Sequence, residues 1–406
     1  MTSVKISTTD ELLALLPHQL GYRLEQCVAV VLVTDRIVGP VARVDLPPEK
    51  DVRGTADHFL QSLLRIEPQM ALLVGHDTVA GESRSLLRAL HRGLLHAGVG
   101  IIDHVVVRDG RWWGWCCRPA DELDGLLADH VDGHPMPDDA AVPAVAEFIA
   151  RGSAPLASRS ELGALVLEDA AVSEGVGDAL SDLWDAFCDD VDPDGLLELG
   201  FDAAEPELDD DVEDDDAEPD GEDDSAADGL DEVRLRVRDR LASVDRVPDL
   251  WARVLAPPGE RGDTFAVSDR ELALMACSLV DKQWRDALVA WMSPVMFPLD
   301  EVDGGSRELL RTHAVAGPAL TCEQSQAVLR RLLGLGARIP DTWPHEAAAV
   351  CTMTACVAWG VGDGSIAGDA VTRALRVEPH YRLAELLSQM IEVQLRPRRP
   401  WPGLAA

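Results

Sequence analysis

The sequence has no asparagine and only three lysines among its 406 residues, Lys5, Lys50 and Lys282. Without asparagine there is no N-glycosylation acceptor and no catalytic role for an asparagine side chain. The other basic residues are arginines, mostly interleaved with acids, and no basic run is present. Nucleic acids and anionic membrane surfaces attract clusters of Lys and Arg, so the composition argues against both kinds of partner.

Long apolar segments and disulfide spacing are also lacking. The N-terminal residues show no apolar core of a signal peptide. The longest uncharged run, residues 347–362, is too short and too weakly apolar to span a bilayer. The eight cysteines are scattered through the chain without the spacing of a disulfide framework. We therefore expect a soluble, cytoplasmic protein with reduced cysteines.

Acidic residues, in contrast, are abundant: 72 Asp and Glu against 36 Lys and Arg give a net charge of −36. Residues 202–228 alone contain 16 acids and no basic residue. Such a run repels itself and has no apolar surface to bury, so it predicts a disordered linker. The rest of the chain is apolar enough, and long enough, for two or three domains.

Residues 1–145 show a β-β-α-β-α-β-β order, typical of an α/β domain. A first short helix is expected to stop at Pro17. Asp109-Gly110 is the strongest hairpin signal in the chain. The two strand–helix–strand crossovers predict parallel central strands, and the hairpins predict antiparallel outer strands, in a mixed five-stranded sheet with flanking helices. The expected strands are Cys27–Val33, Val38–Leu46, Met70–Val74, Ile101–Val107 and Arg111–Cys117.

The rest of the chain is predicted to be all-α. Residues 146–201 form a helical extension, and residues 229–406, beyond the acidic run, form a helical domain. Within that domain, Ala370, Ala374, Pro379 and Tyr381 are typical of one tetratricopeptide-like hairpin. No second copy follows at a period near 34 residues, so a repeat array is not predicted.

Short motifs near both ends of the chain are similar to those of a known bacterial family. Together they resemble the domain of unknown function 4192, a family found chiefly in actinobacteria. The resemblance weakens through residues 120–270. The family has no established activity, so the resemblance implies no reaction or ligand. The motifs are Leu20-Gly21-Tyr22, Ala42 to Pro47, Asp109 to Trp113, Ala358-Trp359-Gly360 with Gly362-Asp363-Gly364, Arg373-Ala374-Leu375, and Pro379 with Tyr381 to Ala384.

Two segments carry metal-ligating residue types in incomplete patterns. Cys116 and Cys117 are adjacent, so on a strand they point to opposite faces and do not easily ligate one zinc ion. Asp190, Asp192 and Asp194 match the first half of a calcium loop, but Phe201 stands where the bidentate glutamate is required. Ordinary packing and a helix end are the favoured interpretations, and we expect no metal or other cofactor.

The topology points to one candidate ligand site. In sheets of this type, ligands bind beyond the carboxyl ends of the parallel strands. Arg43 and Asp45 lie at that end of the second strand, and His76 and Asp77 follow the third. Arg111 would add a second cation if its side chain turns inward. The rival interpretation is that Arg43 and Asp45 simply pair with each other.

Complete catalytic motifs are missing from the sequence. Gly-x-Ser-x-Gly is absent, and the glycines around Gly362 lack the lysine of a phosphate loop. We therefore expect a non-enzymatic binding or interaction protein with a protein partner. The alternative is an enzyme or sensor that binds a nucleotide or another small ligand in the crevice of the α/β domain.

Overall fold

A computed structural model of the chain describes residues 8–35, 37–114, 133–150, 154–188, 246–257, 265–314, 317–318, 321–393 and 395. These residues fall into two compact units. The first contains the residues before Leu165 together with those after Ser388, and the second runs from Leu165 to Ser388.

The first unit contains a mixed sheet of six strands in the order β2-β1-β3-β4-β5-β6. β1 is antiparallel to both of its neighbours, β2 and β3, while β3 and β4 are parallel. β2, β3 and β4 therefore share one direction, as the predicted crossovers require. The strands are β1 Cys27–Thr34, β2 Ile37–Asp45, β3 Met70–His76, β4 Gly100–Arg108, β5 Arg111–Gly114 and β6 His134–Pro135.

The position of β1 corrects the predicted topology. The sequence places this strand at the outside of the sheet, but it lies between β2 and β3. Its residues Cys27 to Leu32 are buried, whereas β2 is only partly buried along its length. A strand that is apolar on both faces gains most from a central position, and the less apolar β2 occupies the edge.

The sheet also has one strand more than the five expected. β6 consists of only His134 and Pro135, paired with Arg111 and Trp112 of β5. Two residues are too few for an alternating pattern to reveal a strand. The hairpin before β5 is confirmed: Asp109 and Gly110 have φ angles of 50° and 69°, both positive as a type I′ turn requires.

Helices cover both faces of the sheet. α1 packs on one face, and α2 and α3 pack on the other. α1 does not stop at Pro17, as the sequence predicts, but continues to Leu20. Burial of Leu16 and His18 extends the helix past the proline, and Gly21 ends it with a φ of 81°. The helices before Leu165 are α1 Thr9–Leu20, α2 Val52–Leu64, α3 Arg84–His96, α4 Pro143–Ala150 and α5 Arg159–Ala164.

The second unit is helical in its described residues. Its central helix, α12, is buried along almost its whole length, and α13 packs antiparallel beside it after the turn at Gly362. The helices are α6 Ala170–Cys188, α7 Arg246–Leu255, α8 Asp269–Ser278, α9 Lys282–Met292, α10 Gly304–His313, α11 Cys322–Ala337, α12 Pro344–Val361, α13 Gly364–Val377 and α14 Arg382–Glu392, which continues past Ser388.

The acidic run does not connect the two units. α6, which the sequence assigns to an extension, packs against α8 within the second unit. The predicted linker, residues 202–228, therefore falls between two helices of one unit in the chain, and the run itself lies outside the described residues. The apolar face of α6, with Val176, Leu180 and Leu183 buried, accounts for its place in the helical core.

None of the helices that the structure describes combines the length and the apolar character needed to cross a membrane.

Candidate functional site

The carboxyl ends of β2 and β3 and the start of β1 meet at one edge of the sheet. Cys27 is paired with Asp45 on one side and with His76 on the other. Residues in one such row point to the same face of the sheet, here the face covered by α1. Asp45, Cys27 and His76 therefore form a row of three polar side chains. Within the described ranges, no group of three His, Cys, Asp or Glu side chains is arranged to hold a metal ion.

Arg43 lies on the same face, two residue pairs further into the sheet, and its side chain reaches back to this row. Its guanidinium binds the Asp45 carboxylate through both terminal nitrogens, one of them 3.3 Å from Oδ2. It also bonds the Cys27 thiol and lies 5.6 Å from the ring centre of Tyr22. Burial alone would lower the pKa of Arg43, but the neighbouring phenol, thiol and carboxylate raise it. Arg43 is thus a fixed, permanently charged cation.

Cys27 and His76 are both uncharged at neutral pH. Burial raises the pKa of the Cys27 thiol to about 11. Burial and, secondarily, the charge of Arg43 lower the pKa of His76 to about 4. A thiol is activated as a nucleophile when its pKa falls, usually beside an imidazolium. The cysteine and histidine are neighbours, but their protonation states are the reverse of those of a catalytic pair.

Two buried nitrogens of this cluster have no hydrogen-bond partner: Arg43 Nε and His76 Nε2. The His76 side chain is buried, and the residue is only 7% exposed. Buried polar atoms nearly always have a partner, so two such atoms in one cluster are unusual. The cluster therefore has capacity to bind a further polar group.

Asp77 has a different task from its neighbour His76. Its carboxylate accepts hydrogen bonds from the backbone N–H groups of Gly81 and Ser83, at 2.9 and 3.1 Å. Its own N–H donates to the Val107 carbonyl and extends the pairing of β3 with β4. Asp77 therefore shapes the loop between β3 and α3, residues 77–83.

Glu82 closes the other half of this loop. One carboxylate oxygen, Oε2, accepts from the N–H of Thr78 at 2.8 Å, the N–H of Val79 at 3.0 Å and the Thr78 hydroxyl at 2.9 Å. These bonds lower the pKa of Glu82, so its carboxylate is charged. In nucleotide-binding proteins, the N–H groups of the equivalent strand-to-helix loop bind phosphate. Here, the loop's own two carboxylates occupy them.

Arg111 is not brought to this cluster. Trp112 packs in the core on the α1 side and stands opposite Val107, while Arg111 pairs with Arg108 at the hairpin. Adjacent strand residues face opposite ways, so Arg111 lies on the other face of the sheet, and its side chain is exposed. Side chains alternate between the two faces along β5, and the pairing of β5 with β4 determines on which face Arg111 lies.

The two incomplete metal-ligand patterns of the sequence lie elsewhere in the chain. Cys116 and Cys117 of the possible zinc pair lie outside the described residues. So do Asp190, Asp192 and Asp194 of the possible calcium loop.

Residues 10–398 match the Domain of unknown function (DUF4192). The chain belongs to this family. No curated protein and no solved structure matches it.

The motifs that resemble DUF4192 near the start of the chain include part of the cluster. Tyr22 follows the helix-ending Gly21, is 1% exposed, and has the guanidinium groups of Arg43 and Arg159 at 5.6 and 5.9 Å from its ring centre. Arg43 itself belongs to the second motif. Two cations next to one buried phenol ring thus lie where DUF4192 motifs meet.

The DUF4192 motifs near the end of the chain serve packing. Arg373 is 1% exposed and donates to the carbonyls of Val166, Gly336 and Ile339, each at 2.8 Å, and to the Asp341 carboxylate at 2.9 Å. Every donor group of this guanidinium side chain is engaged, which makes it a polar link among segments of the helical unit.

Further along the same motifs, the buried Tyr381 hydroxyl accepts a hydrogen bond from Arg285 at 2.9 Å. A Cβ at Gly360 would stand 2.1 Å from Ser293 Oγ, so any larger residue there would require the serine side chain to move. Arg373, Tyr381 and Gly360 thus take part in packing within the helical unit.

Sequence reasoning missed Cys27, Tyr22, Glu82 and Arg159. Cys27 was hidden in an apolar run that identifies a strand but not its neighbours. Glu82 offers a usable signal, because an acid five residues after Asp77 in a strand-to-helix loop can bond the loop's N–H groups. Tyr22 and Arg159 meet Arg43 only through tertiary contacts.

Proposed function

We propose that this DUF4192 protein is a non-enzymatic binding protein. The observation that carries the proposal is the loop between β3 and α3, in which Asp77 and Glu82 already bond four backbone N–H groups. A phosphate at this loop would have to displace two carboxylates and would be repelled by them. This arrangement favours binding elsewhere over nucleotide chemistry at the loop.

The protonation states at the sheet edge support the same proposal. A general acid or base works best when its pKa lies near the operating pH. The pKa of His76 is about 4, and that of Cys27 is about 11. Neither group is therefore poised to exchange a proton or to attack a substrate near pH 7.

A protein partner remains part of the proposal, with the helical unit as the docking element. The hairpin of α12 and α13, followed by Pro379 and Tyr381, is proposed to be tetratricopeptide-like, a type of helix pair that serves binding in other proteins. We also propose an actinobacterial origin, which the family resemblance implies. The composition and the N-terminal sequence favour a cytoplasmic location and partners that are neither nucleic acids nor membranes.

The alternative is a small ligand bound by the α/β unit, and we keep it only for a site at the sheet edge. The two partnerless nitrogens on Arg43 and His76 favour a small polar ligand at the sheet edge. A nucleotide held by loop 77–83 is not favoured.

A thermal-shift screen of the full chain distinguishes the candidates. We expect ATP, GTP and NAD to leave the melting temperature within about 1 °C of a salt control at matched ionic strength. Glu82→Gln is the matched variant, because it removes one of the two carboxylate charges from the loop and keeps the side-chain size.

Stabilisation of the wild type by a nucleotide, strengthened in Glu82→Gln because one competing carboxylate charge is gone, would indicate a nucleotide at loop 77–83 and contradict the proposal. Native mass spectrometry of protein purified from its own host provides the second measurement. A co-purifying partner or an unaltered ligand is expected, whereas conversion of the ligand to a product on incubation would identify an enzyme.

A further inference from the structure

Two arginines lie against the buried Tyr22 ring at the sheet edge of this strongly acidic protein. Arg43 and Arg159 both lie within 6 Å of the Tyr22 ring centre, at 5.6 and 5.9 Å. The carboxylate that binds Arg43 belongs to Asp45. The chain as a whole has a net charge of −36. Arg43 and Arg159 thus bring two guanidinium groups to one ring in a strongly acidic chain.

Asp45 is an exposed anion on a largely covered cation. Its side chain is 76% exposed, whereas that of Arg43 is only 13% exposed. Exposed ion pairs contribute little to stability, because water solvates the carboxylate when it moves away. The outer edge of the guanidinium can therefore exchange Asp45 for another anion, while the rest of Arg43 stays held by Cys27 and Tyr22.

His76 supplies the second part of the site. Its Nε2 atom is buried without a partner, as is Arg43 Nε, and the charge of Arg43 acts on the His76 ring. A neutral imidazole donates one hydrogen bond and accepts one, so the Nε2 tautomer can bind an anion without a buried positive charge of its own.

We propose that Arg43 and His76 bind the carboxylate or phosphate group of a small anionic ligand, and that Asp45 is an internal anion which this ligand displaces. The inference deepens the proposed binding function by assigning it a ligand class. A planar guanidinium binds carboxylate and phosphate oxygens in pairs, which is the contact that Asp45 now makes. Loop 77–83 takes no part, because Asp77 and Glu82 already occupy its N–H groups.

The test uses the full chain and two probes, inorganic phosphate and acetate, titrated by calorimetry at constant ionic strength. We expect Asp45→Ala to bind at least one of them about 3-fold or more tightly than the wild type, because the internal competitor is gone. Arg43→Ala should weaken binding about 10-fold or more. Arg23→Ala, which removes an exposed arginine near Tyr22, is the matched control and should leave binding unchanged.

The nitrogen signals of His76 provide a readout of direct contact. Binding should shift the Nε2 resonance in a ¹⁵N-histidine spectrum, and the same probe should leave the exposed His96 unaffected. Asp45 is exposed, so Asp45→Ala keeps the proposal testable even if Arg43→Ala fails to fold. Phosphate and acetate distinguish the two ligand classes, and tighter binding of either one supports the site.

Three results would overturn the inference: neither probe binds the wild type or Asp45→Ala, Asp45→Ala binds no more tightly than the wild type, or Arg23→Ala weakens binding as much as Arg43→Ala. A different result would contradict the proposed non-enzymatic function. Anion binding accompanied by turnover would leave this site intact and overturn only the non-enzymatic assignment.

Discussion

Burial determines the protonation state of several histidine side chains in this protein. His76 and His104 both have their pKa lowered to about 4, and burial is the first cause for each. His104 on β4 shares a 2.7 Å hydrogen bond with His91 on α3, whose pKa is also lowered. A histidine that cannot take up a proton in the folded state makes the fold sensitive to acid. The stability of the α/β unit is therefore expected to depend on pH through these residues.

We predict that His76 lowers stability in mild acid. Its pKa rises from about 4 when folded to the ordinary 6.5 when unfolded, so the unfolded chain binds the extra proton as pH falls below 6.5. The free energy of unfolding should then drop by about 2 kcal/mol between pH 7.5 and pH 5 from this residue alone. Urea unfolding of His76→Gln at both pH values should show a smaller drop than the wild type.

The exposed His96 is the control for this prediction. His96→Gln should keep the pH dependence of the wild type. An identical pH dependence in His76→Gln and the wild type would show that His76 is not protected from protonation in the folded protein.

At the scale of turns and helices, the effect of replacing a glycine depends on the backbone conformation as well as on the space around it. Gly110 and Gly54 both have open space where a Cβ would stand. Gly110 has a φ of 69° in the hairpin, while Gly54 lies within α2. The same substitution should therefore have opposite effects at the two positions, because only backbone conformation differs.

We predict that Gly110→Ala destabilises the protein by about 1 kcal/mol, the cost of a left-handed conformation for a residue with a Cβ. Gly54→Ala should stabilise it by about 0.5 kcal/mol, because alanine favours the helix and restricts the unfolded chain. Chemical denaturation of both variants measures the difference. A stabilising Gly110→Ala would mean that the turn is not type I′.

At the scale of the whole molecule, net charge is the dominant electrostatic feature. The chain has twice as many acids as basic residues. Like charges repel one another more in the compact state than in the expanded unfolded chain, and salt screens this repulsion over a Debye length. The arginines that are buried, such as Arg373, are instead engaged in local bonds that salt screens less.

We predict that the melting temperature rises by several degrees between about 20 and 300 mM NaCl, since the Debye length shrinks severalfold over this range. Differential scanning fluorimetry with sucrose at matched osmolality as the control separates screening from solute exclusion. A melting temperature that is flat or falls with NaCl would show that local ion pairs outweigh the net repulsion.

Local sequence patterns were sufficient to locate β1 to β4, the Asp109-Gly110 hairpin and the helical character of the remaining described chain. Each of these depends on neighbours within a few residues, whose periodicity and turn preferences are visible in the sequence. The same patterns brought Arg43, Asp45 and His76 to one end of the sheet, because strand direction follows from the crossovers.

Only long-range pairing decided the rest. β1 lies between β2 and β3 because burial on both of its faces favours the centre, and this places Cys27 between Asp45 and His76. The pairing of β5 with β4 places Arg111 on the opposite face of the sheet from these residues. The engagement of Asp77 within its own loop depends on how that loop closes. These features follow from contacts between distant or folded segments, which no local window of the sequence contains.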